Sequence, residues 1–306
     1  MSEDLMNTKE VARYLGIHEK QVYALIKAGR IPASRITGKW TFPKKLIDEW
    51  VESSATASLD HARSKKSKME GSLLAAGSDD PILGMLLASY KTAHPDYYIF
   101  SAVTGSTEGL RLVSRRLTDI AWCHLFDPES GRYNTREVLS SHLTTSRSVV
   151  VHLFNREMGL VTSQANPKNI RGINDLTRDG VRIINRQEGS GTRLLLDYQL
   201  KKLQIDAGII DGYSREVFTH MEVGLSVLSG LADTGIATIA IAKILGLTFH
   251  PLTLESFDMI LDQSTFFERG VQAFIDVLQG PDFQKKSEYI YNYDFKNAGK
   301  VLHTYN

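Results

Sequence analysis

Three short runs of glycine, serine and threonine stand where an apolar strand gives way to a helix, and turns of that composition can hold an anion. Ser78 follows Ser72-Leu73-Leu74-Ala75-Ala76-Gly77 and precedes Asp79-Asp80-Pro81 and a helical pattern from Ile82 to Thr92. A strand from Tyr97 to Val103 leads into Thr104-Gly105-Ser106-Thr107-Glu108-Gly109, and one from Val181 to Asn185 leads into Arg186-Gln187-Glu188-Gly189-Ser190-Gly191-Thr192-Arg193. At each turn, hydroxyls and the unpaired N–H groups of a helix start face the carboxyl edge of a sheet, where open α/β folds hold ligands. Ser and Thr are also the commonest helix N-caps, so one such turn reads equally well as a cap, and it is the set that points to a site. Catalytic patterns are missing: Gly189-Ser190-Gly191-Thr192 lacks the G-x-S-x-G spacing, and no G-x-x-x-x-G-K-[ST] occurs. The histidines at 18, 61, 94, 124, 142, 152, 220, 250 and 303 form no i, i+4 pair, and Cys123-His124 reads as a strand end. A binding protein without metal or cofactor is expected, not an enzyme.

These turns need a scaffold. From Ser72 onward, short apolar strands alternate with helical patterns, which predicts an α/β fold with a largely parallel sheet covered by helices over residues 71–306. Residues 53–70 read as a linker. Ser53-Ser54-Ala55-Thr56-Ala57-Ser58 and Arg63-Ser64-Lys65-Lys66-Ser67-Lys68 carry too little apolar surface to offset their ordering entropy. With a formal net charge of +1 over 306 residues, no global field draws the chain to nucleic acid or membrane, so a DNA-binding surface must be a local patch. The one cysteine, Cys123, excludes an intramolecular disulfide and reads as a small buried hydrophobe. The start has no signal-like apolar segment and no later run is long enough to span a bilayer, so a cytoplasmic protein is expected.

That patch is sought in residues 1–52. Asn7 or Thr8 can cap a first helix with Glu10 reaching back, Val11, Ala12 and Leu15 form its apolar stripe, and Gly16 stops it. A second helix runs from His18 to Ala28, with Val22, Leu25 and Ile26 inward, Lys20, Gln21, Tyr23 and Lys27 outward, and Gly29 at its end. Ile31 to Phe42 alternates about Thr37-Gly38 as a hairpin with Arg35 and Lys39 on its exposed side, and Pro43 opens a third helix whose Leu46, Ile47 and Trp50 close a small core. The strings Asn7 to Gly16, Val22 to Pro32 and Gly38 to Pro43 closely resemble the excisionase-type helix-turn-helix head related to MerR regulators. The resemblance implies that the second helix enters the major groove and the wing touches backbone. That would give Lys20, Gln21, Tyr23 and Lys27 to the groove and Arg35, Lys39 and Lys44 to phosphates of double-stranded DNA. A head this small implies a homodimer on a two-fold symmetric site. The rival use of the same fold is protein contact.

The body carries a second resemblance, through Asn185 to Arg193, Val223-Gly224-Leu225-Ser226-Val227-Leu228-Ser229-Gly230-Leu231-Ala232-Asp233-Thr234-Gly235-Ile236-Ala237, and the Thr104 to Gly109 turn. It is similar to the type II periplasmic-binding-protein fold, specifically to molybdate- and tungstate-binding proteins. The resemblance implies two lobes, about 71–160 with 252–306 and about 161–251, and a ligand between them. Ser78, Thr104, Ser106 and Thr107 would reach it from the first lobe, and Ser190, Thr192, Arg193 and the Glu222 to Ser226 turn from the second. Asp233 reads as a backbone cap. A tetrahedral dianion suits neutral N–H and O–H donors with one arginine, Arg193, adding charge. Against it stand Asp79, Asp80, Glu108, Glu188 and Glu222, all in or beside the turns. If two or more face inward, a small organic ligand such as a pterin-like or polyol compound fits better. The expectation is therefore a ligand-responsive DNA-binding regulator sensing molybdate or tungstate. Its alternatives are an organic effector, an enzyme on a DNA-binding head, and a purely architectural DNA-binding protein.

Overall fold

The computed structural model describes residues 5–29, 31–36, 38–51, 71–143, 148–287 and 292–304. The chain divides into two compact units, Met1–Glu70 and Gly71–Asn306. The linker expected at 53–70 and Thr37 of the expected turn lie outside the described residues.

In the first unit, β1 (Leu5–Asn7) leads into α1 (Thr8–Leu15). The Asn7 side chain accepts from the N–H groups of Lys9 and Glu10, while the Glu10 carboxylate accepts from Asn7 N–H at 2.8 Å, so the capping box read in the sequence is formed. Gly16, at φ 66°, ends the helix, and α2 (Glu19–Lys27) follows. β2 (Ser34–Ile36) and β3 (Lys39–Pro43) pair antiparallel, and β1 adds to β3 as a third strand that the sequence pattern did not announce. Residues 44–51 form α3. Val11, Ala12, Val22, Ile31, Phe42 and Ile47 are the buried core. Leu46, expected in that core, is exposed instead, because the helix turns Ile47 inward.

The second unit runs β4 (Ser72–Gly77), α4 (Pro81–Ala93), β5 (Tyr98–Val103), α5 (Ser106–Ser114), β6 (Ile120–Cys123) and α6 (Arg136–Ser140). The long strand β7 (Ser148–Thr162) then carries the chain into a second lobe made of β8 (Asn185–Arg186), α7 (Gly191–Lys202), β9 (Glu216–Val217), α8 (His220–Leu228), β10 (Thr234–Thr238) and α9 (Ile239–Ile244). The equally long β11 (Thr248–Asp262) returns, and α10 (Gln263–Phe266), α11 (Arg269–Gln279), α12 (Pro281–Ser287), β12 (Tyr293–Asp294) and β13 (Val301–Thr304) complete the first lobe. The main sheet has the order β10-β7-β11-β6-β4-β5, with β12 and β13 also on β7.

Within the main sheet, among the described residues, only β4 with β5 and β4 with β6 are parallel, while β6–β11, β11–β7 and β7–β10 are antiparallel; the short β8 and β9 form a separate parallel pair. The expectation of a largely parallel sheet is corrected here, because the chain returns from the second lobe directly alongside the strand that took it there. Phe154 and Phe257 pack in the first lobe's core, whereas Met158 and Leu160 already belong to the second lobe's, so β7 changes lobes before residue 160. The strand expected at Val181–Asn185 is regular only at Asn185–Arg186. Gly77 shows how tightly the first turn is built: at φ 140°, a Cβ there would lie 2.2 Å from the Trp122 carbonyl oxygen. That close approach lets Ser78 N–H donate to Trp122 O and the N–H groups of Thr104 and Gly105 donate to Gly77 O, tying two of the three turns together.

Candidate functional site

The seam between the lobes of the body brings the hydroxyl-bearing turns face to face. On the first lobe, Ser78 Oγ and Ser106 Oγ lie 2.7 Å apart, and Ser106 Oγ accepts from His124 N–H. Thr107 N–H, at the start of α5, donates across the seam to Gly189 O at 3.3 Å. On the second lobe, Ser190 caps α7 by accepting from Arg193 N–H, and Thr192 is buried beside it. Thr104 sits half-buried in the loop that leads into α5. Two buried polar atoms here, Gln187 Nε2 and Thr192 Oγ1, have no hydrogen-bond partner among the described residues. A Cβ on Gly191 would meet the His124 ring at 2.6 Å, so that glycine is what lets the two lobes approach here.

Behind these donors lies a charged layer at the point where β7 and β11 cross between lobes. Arg156 is fully buried; its guanidinium reaches Asp80 at 2.5 Å and Glu255 at 2.6 Å. Burial by itself lowers its pKa, but Glu255 and Asp80 outweigh that effect and hold the pKa above the ordinary arginine value. Glu255 passes its other oxygen to His124 Nδ1 at 3.1 Å. Burial would raise the Glu255 carboxyl, but His124 and Arg156 together hold it below the usual range. Asp80 also accepts from Tyr293 O–H and Ile82 N–H, capping α4, and its burial raises its pKa against the pull of Arg156. Arg186 of the second lobe meets Asp79 of the first at 3.1 Å, and Asp79 also accepts from His220 N–H, the first residue of α8. Burial, with Arg186 and Arg156 nearby, pushes the His220 imidazole well below its usual pKa, so it is neutral at pH 7.

Not every expected residue joins this seam. Arg193 turns onto Asp197 at 3.1 Å and Glu216 at 2.7 Å and lies over the Tyr213 ring, because i, i+4 spacing on α7 offers it a carboxylate of its own lobe. The buried charge at the seam comes from Arg156 and Arg186. Glu222 accepts from Phe218 and Thr219 N–H at the start of α8, and the Ser226 hydroxyl donates to Glu222 O on the exposed side of that helix. Asp233 accepts from Arg182 N–H and pairs with Lys168, which suits the backbone cap read in the sequence. Among the five acidic residues in or beside the turns, Asp79 and Asp80 face inward, each on an arginine, whereas Glu188 is exposed and Glu108 is 3.5 Å from Arg111. His124, set aside as a strand end, stands in the seam. Cys123 beside it is fully buried, and burial pushes its thiol up.

In the first unit, Lys20, Gln21, Tyr23 and Lys27 are exposed on α2, and Arg35, Lys39 and Lys44 are exposed on the wing and at the start of α3. Gln21 has a second task, since its Oε1 accepts from His18 N–H as part of the α2 cap. Arg35 lies 5.8 Å over Trp40 and Lys44 5.6 Å over Tyr14, which restrains both cations without hiding them.

Residues 87–279 match the model of the PBP superfamily domain. The chain belongs to the PBP superfamily. Residues 5–55 match a helix-turn-helix domain, so this PBP-superfamily body is joined to a DNA-binding type of head. The Bacillus subtilis protein YvgK is 29% identical over 301 residues, covering 96% of either chain. A phosphate-bound substrate-binding protein of a putative phosphate ABC transporter from Clostridium perfringens shares the fold with a TM-score of 0.56 at 13% identity, over 76% of this chain and all of that one. A tungstate ABC transporter structure from Geobacter sulfurreducens aligns at 0.51 and 15% identity, over 71% and 98%. Among the described residues, no helix is long and apolar enough to cross a membrane.

Proposed function

We propose that this chain is a cytoplasmic transcriptional regulator that binds double-stranded DNA through its head and senses molybdate or tungstate between the lobes of its body, binding its effector without chemistry. The reading rests on the unpartnered Gln187 Nε2 and Thr192 Oγ1, buried where the starts of α5 and α7 meet the Ser78–Ser106 pair. A buried donor left unpaired costs about 1–3 kcal/mol, which an oxyanion would offset. Arg156 and Arg186 already have carboxylate partners, so neutral hydroxyl and N–H donors would replace the hydration shell of a dianion, as helix starts do for phosphate. The phosphate-bound transporter protein and the tungstate transporter structure share this fold, which agrees with an oxyanion but does not choose one.

Asp79 and Asp80 favour a second reading, since inward carboxylates suit a ligand with hydroxyl or amino groups such as a pterin-like or polyol compound. A thermal-shift and calorimetry series on the full chain separates the two. Molybdate or tungstate at a hundred times its dissociation constant should stabilise the fold by about 2.7 kcal/mol. Thr192→Val should weaken oxyanion binding by roughly tenfold while leaving the unliganded melting point in place. A shift with organic compounds and none with oxyanions would transfer the site to the second reading.

DNA binding has its own measurement. Replacing Arg35 and Lys39 with alanine should weaken binding to all sequences and reduce the slope of log affinity against log salt by about one per lost phosphate contact. Normal binding by the double variant in a salt titration would remove the wing from the interface.

A further inference from the structure

Helix α8 buries one face and leaves another apolar face in the open. Val223 and Val227 pack into the second lobe, with Gly224 against the Leu245 and Ile241 side chains. On the other side Met221, Leu225 and Leu228, at i, i+4 and i+7, continue the line of Phe218 before the helix and Leu231 after it. These five residues are between 36% and 69% exposed. A groove of about 560 Å³ runs beside them, its lining including Glu222, Leu225, Leu228 and Leu231, so ridge and groove lie in one patch.

We propose that this face of α8 is where a second copy of the chain docks, as the two-fold contact of a homodimer. The five side chains offer on the order of 500 Å² of apolar surface, more than scattered exposure accounts for. A standard interface takes about 800 Å² from each partner, and in homodimers roughly 65% of it is apolar, which is on the order of 500 Å². The patch also suits itself. Close to a two-fold axis a charge faces its own copy, and among the described residues the only charged group lining the groove is Glu222, whose carboxylate is taken up by Phe218 N–H, Thr219 N–H and the Thr219 hydroxyl. Having ridge and groove on the same surface is what an isologous contact requires. Other apolar side chains of the body are exposed as well, among them Leu74 beside Phe100 on the neighbouring strands β4 and β5.

The proposal rests on the reading of the chain as a regulator only in its purpose, since a paired body would hold two heads for a symmetric site. Sedimentation of the full chain tests it independently of any effector. The wild-type chain should sediment as a dimer, and Leu225→Glu with Leu228→Glu should weaken self-association by on the order of 100-fold, with the circular-dichroism spectrum of the folded chain unchanged because both side chains face solvent in the single chain. A Leu228→Glu chain mixed with a Leu228→Lys chain should recover dimers that neither forms alone. A monomeric wild-type chain, or a dimer indifferent to both glutamates, overturns the proposal; in the second case dissociation by Phe100→Glu would place the contact on β5. Molybdate-induced stabilisation, measured on the same samples, reports on the effector reading: its absence with a glutamate-sensitive dimer sinks that reading and leaves this one standing.

Discussion

Replacing Arg156 with leucine is expected to lower the melting temperature of the body by roughly 6–20 °C. The guanidinium is the shared counterion of Asp80 and Glu255 in a place without solvent, and its removal leaves two carboxylates buried in like-charge proximity. Breaking a buried pair from one side typically costs about 3–5 kcal/mol, and in a domain of this size each kcal/mol moves the midpoint by about 2–4 °C. The companion variant separates this cause from simple loss of packing. Arg156→Met combined with Asp80→Asn and Glu255→Gln removes the charges together and should recover most of the loss, since apolar or neutral replacement of a whole buried cluster is often close to neutral. A single Arg156→Leu variant that melts like the wild type would show that this buried charged cluster does not stabilise the body.

Gly191→Ala is expected to keep each lobe folded while abolishing the closed seam, with effector affinity falling by on the order of 100-fold. The added Cβ would stand 2.6 Å from the His124 ring and from its carbonyl oxygen. Neither neighbour can easily give way: the ring is tied to Glu255 and stacked on Phe257, and the carbonyl belongs to the chain leaving β6. The lobes must part by about 1 Å to restore ordinary contact distances. Small-angle scattering should show a larger radius of gyration than for the wild type and no compaction with molybdate. A variant as compact as the wild type, with unchanged affinity, would mean that closure at this seam is not what binding requires.

The parts of this fold that were legible in the sequence are those specified by neighbours a few residues apart. Asn7 and Glu10 make their capping box, Gly16 and Gly29 take the left-handed conformations that end α1 and α2, and Ser72–Gly77 forms the strand its apolar run predicts. The seam was legible in outline through its Ser, Thr and Gly turns, and Ser78, Ser106, Thr107 and Thr192 stand there. Its charged layer was not, because Arg156 meets Asp80 and Glu255 across 76 and 99 positions of sequence, which no local pattern encodes. One signal was present: β7 places Arg156 between the mostly apolar stretches 149–154 and 158–161, and a charge buried in such a strand needs a partner. Arg193 failed as a guide for the opposite reason. It stands beside the right turn, yet Asp197 is one helical turn away and satisfies it first.

The two long strands β7 and β11 carry a consequence for how the molecule comes into being. Their ladder runs from Ser148–Asp262 to Thr162–Thr248, so neither lobe owns a complete sheet and the stretch of the second lobe between the two strands, residues 163–247, is made before the partner strand exists. With Arg156 and Glu255 99 positions apart, synthesis at about 5–20 residues per second leaves β7 without β11 for roughly 5–20 s. During that interval a strand of fifteen residues, most of them buried in the finished fold, has open edges on the ribosome, the situation in which nascent chains mispair. The second lobe, whose core includes Ile173, Leu196, Leu200 and Ile210, can assemble in the meantime and hold the far end of β7 through β10. Birth order thus makes the inserted lobe the template on which the first lobe is later closed.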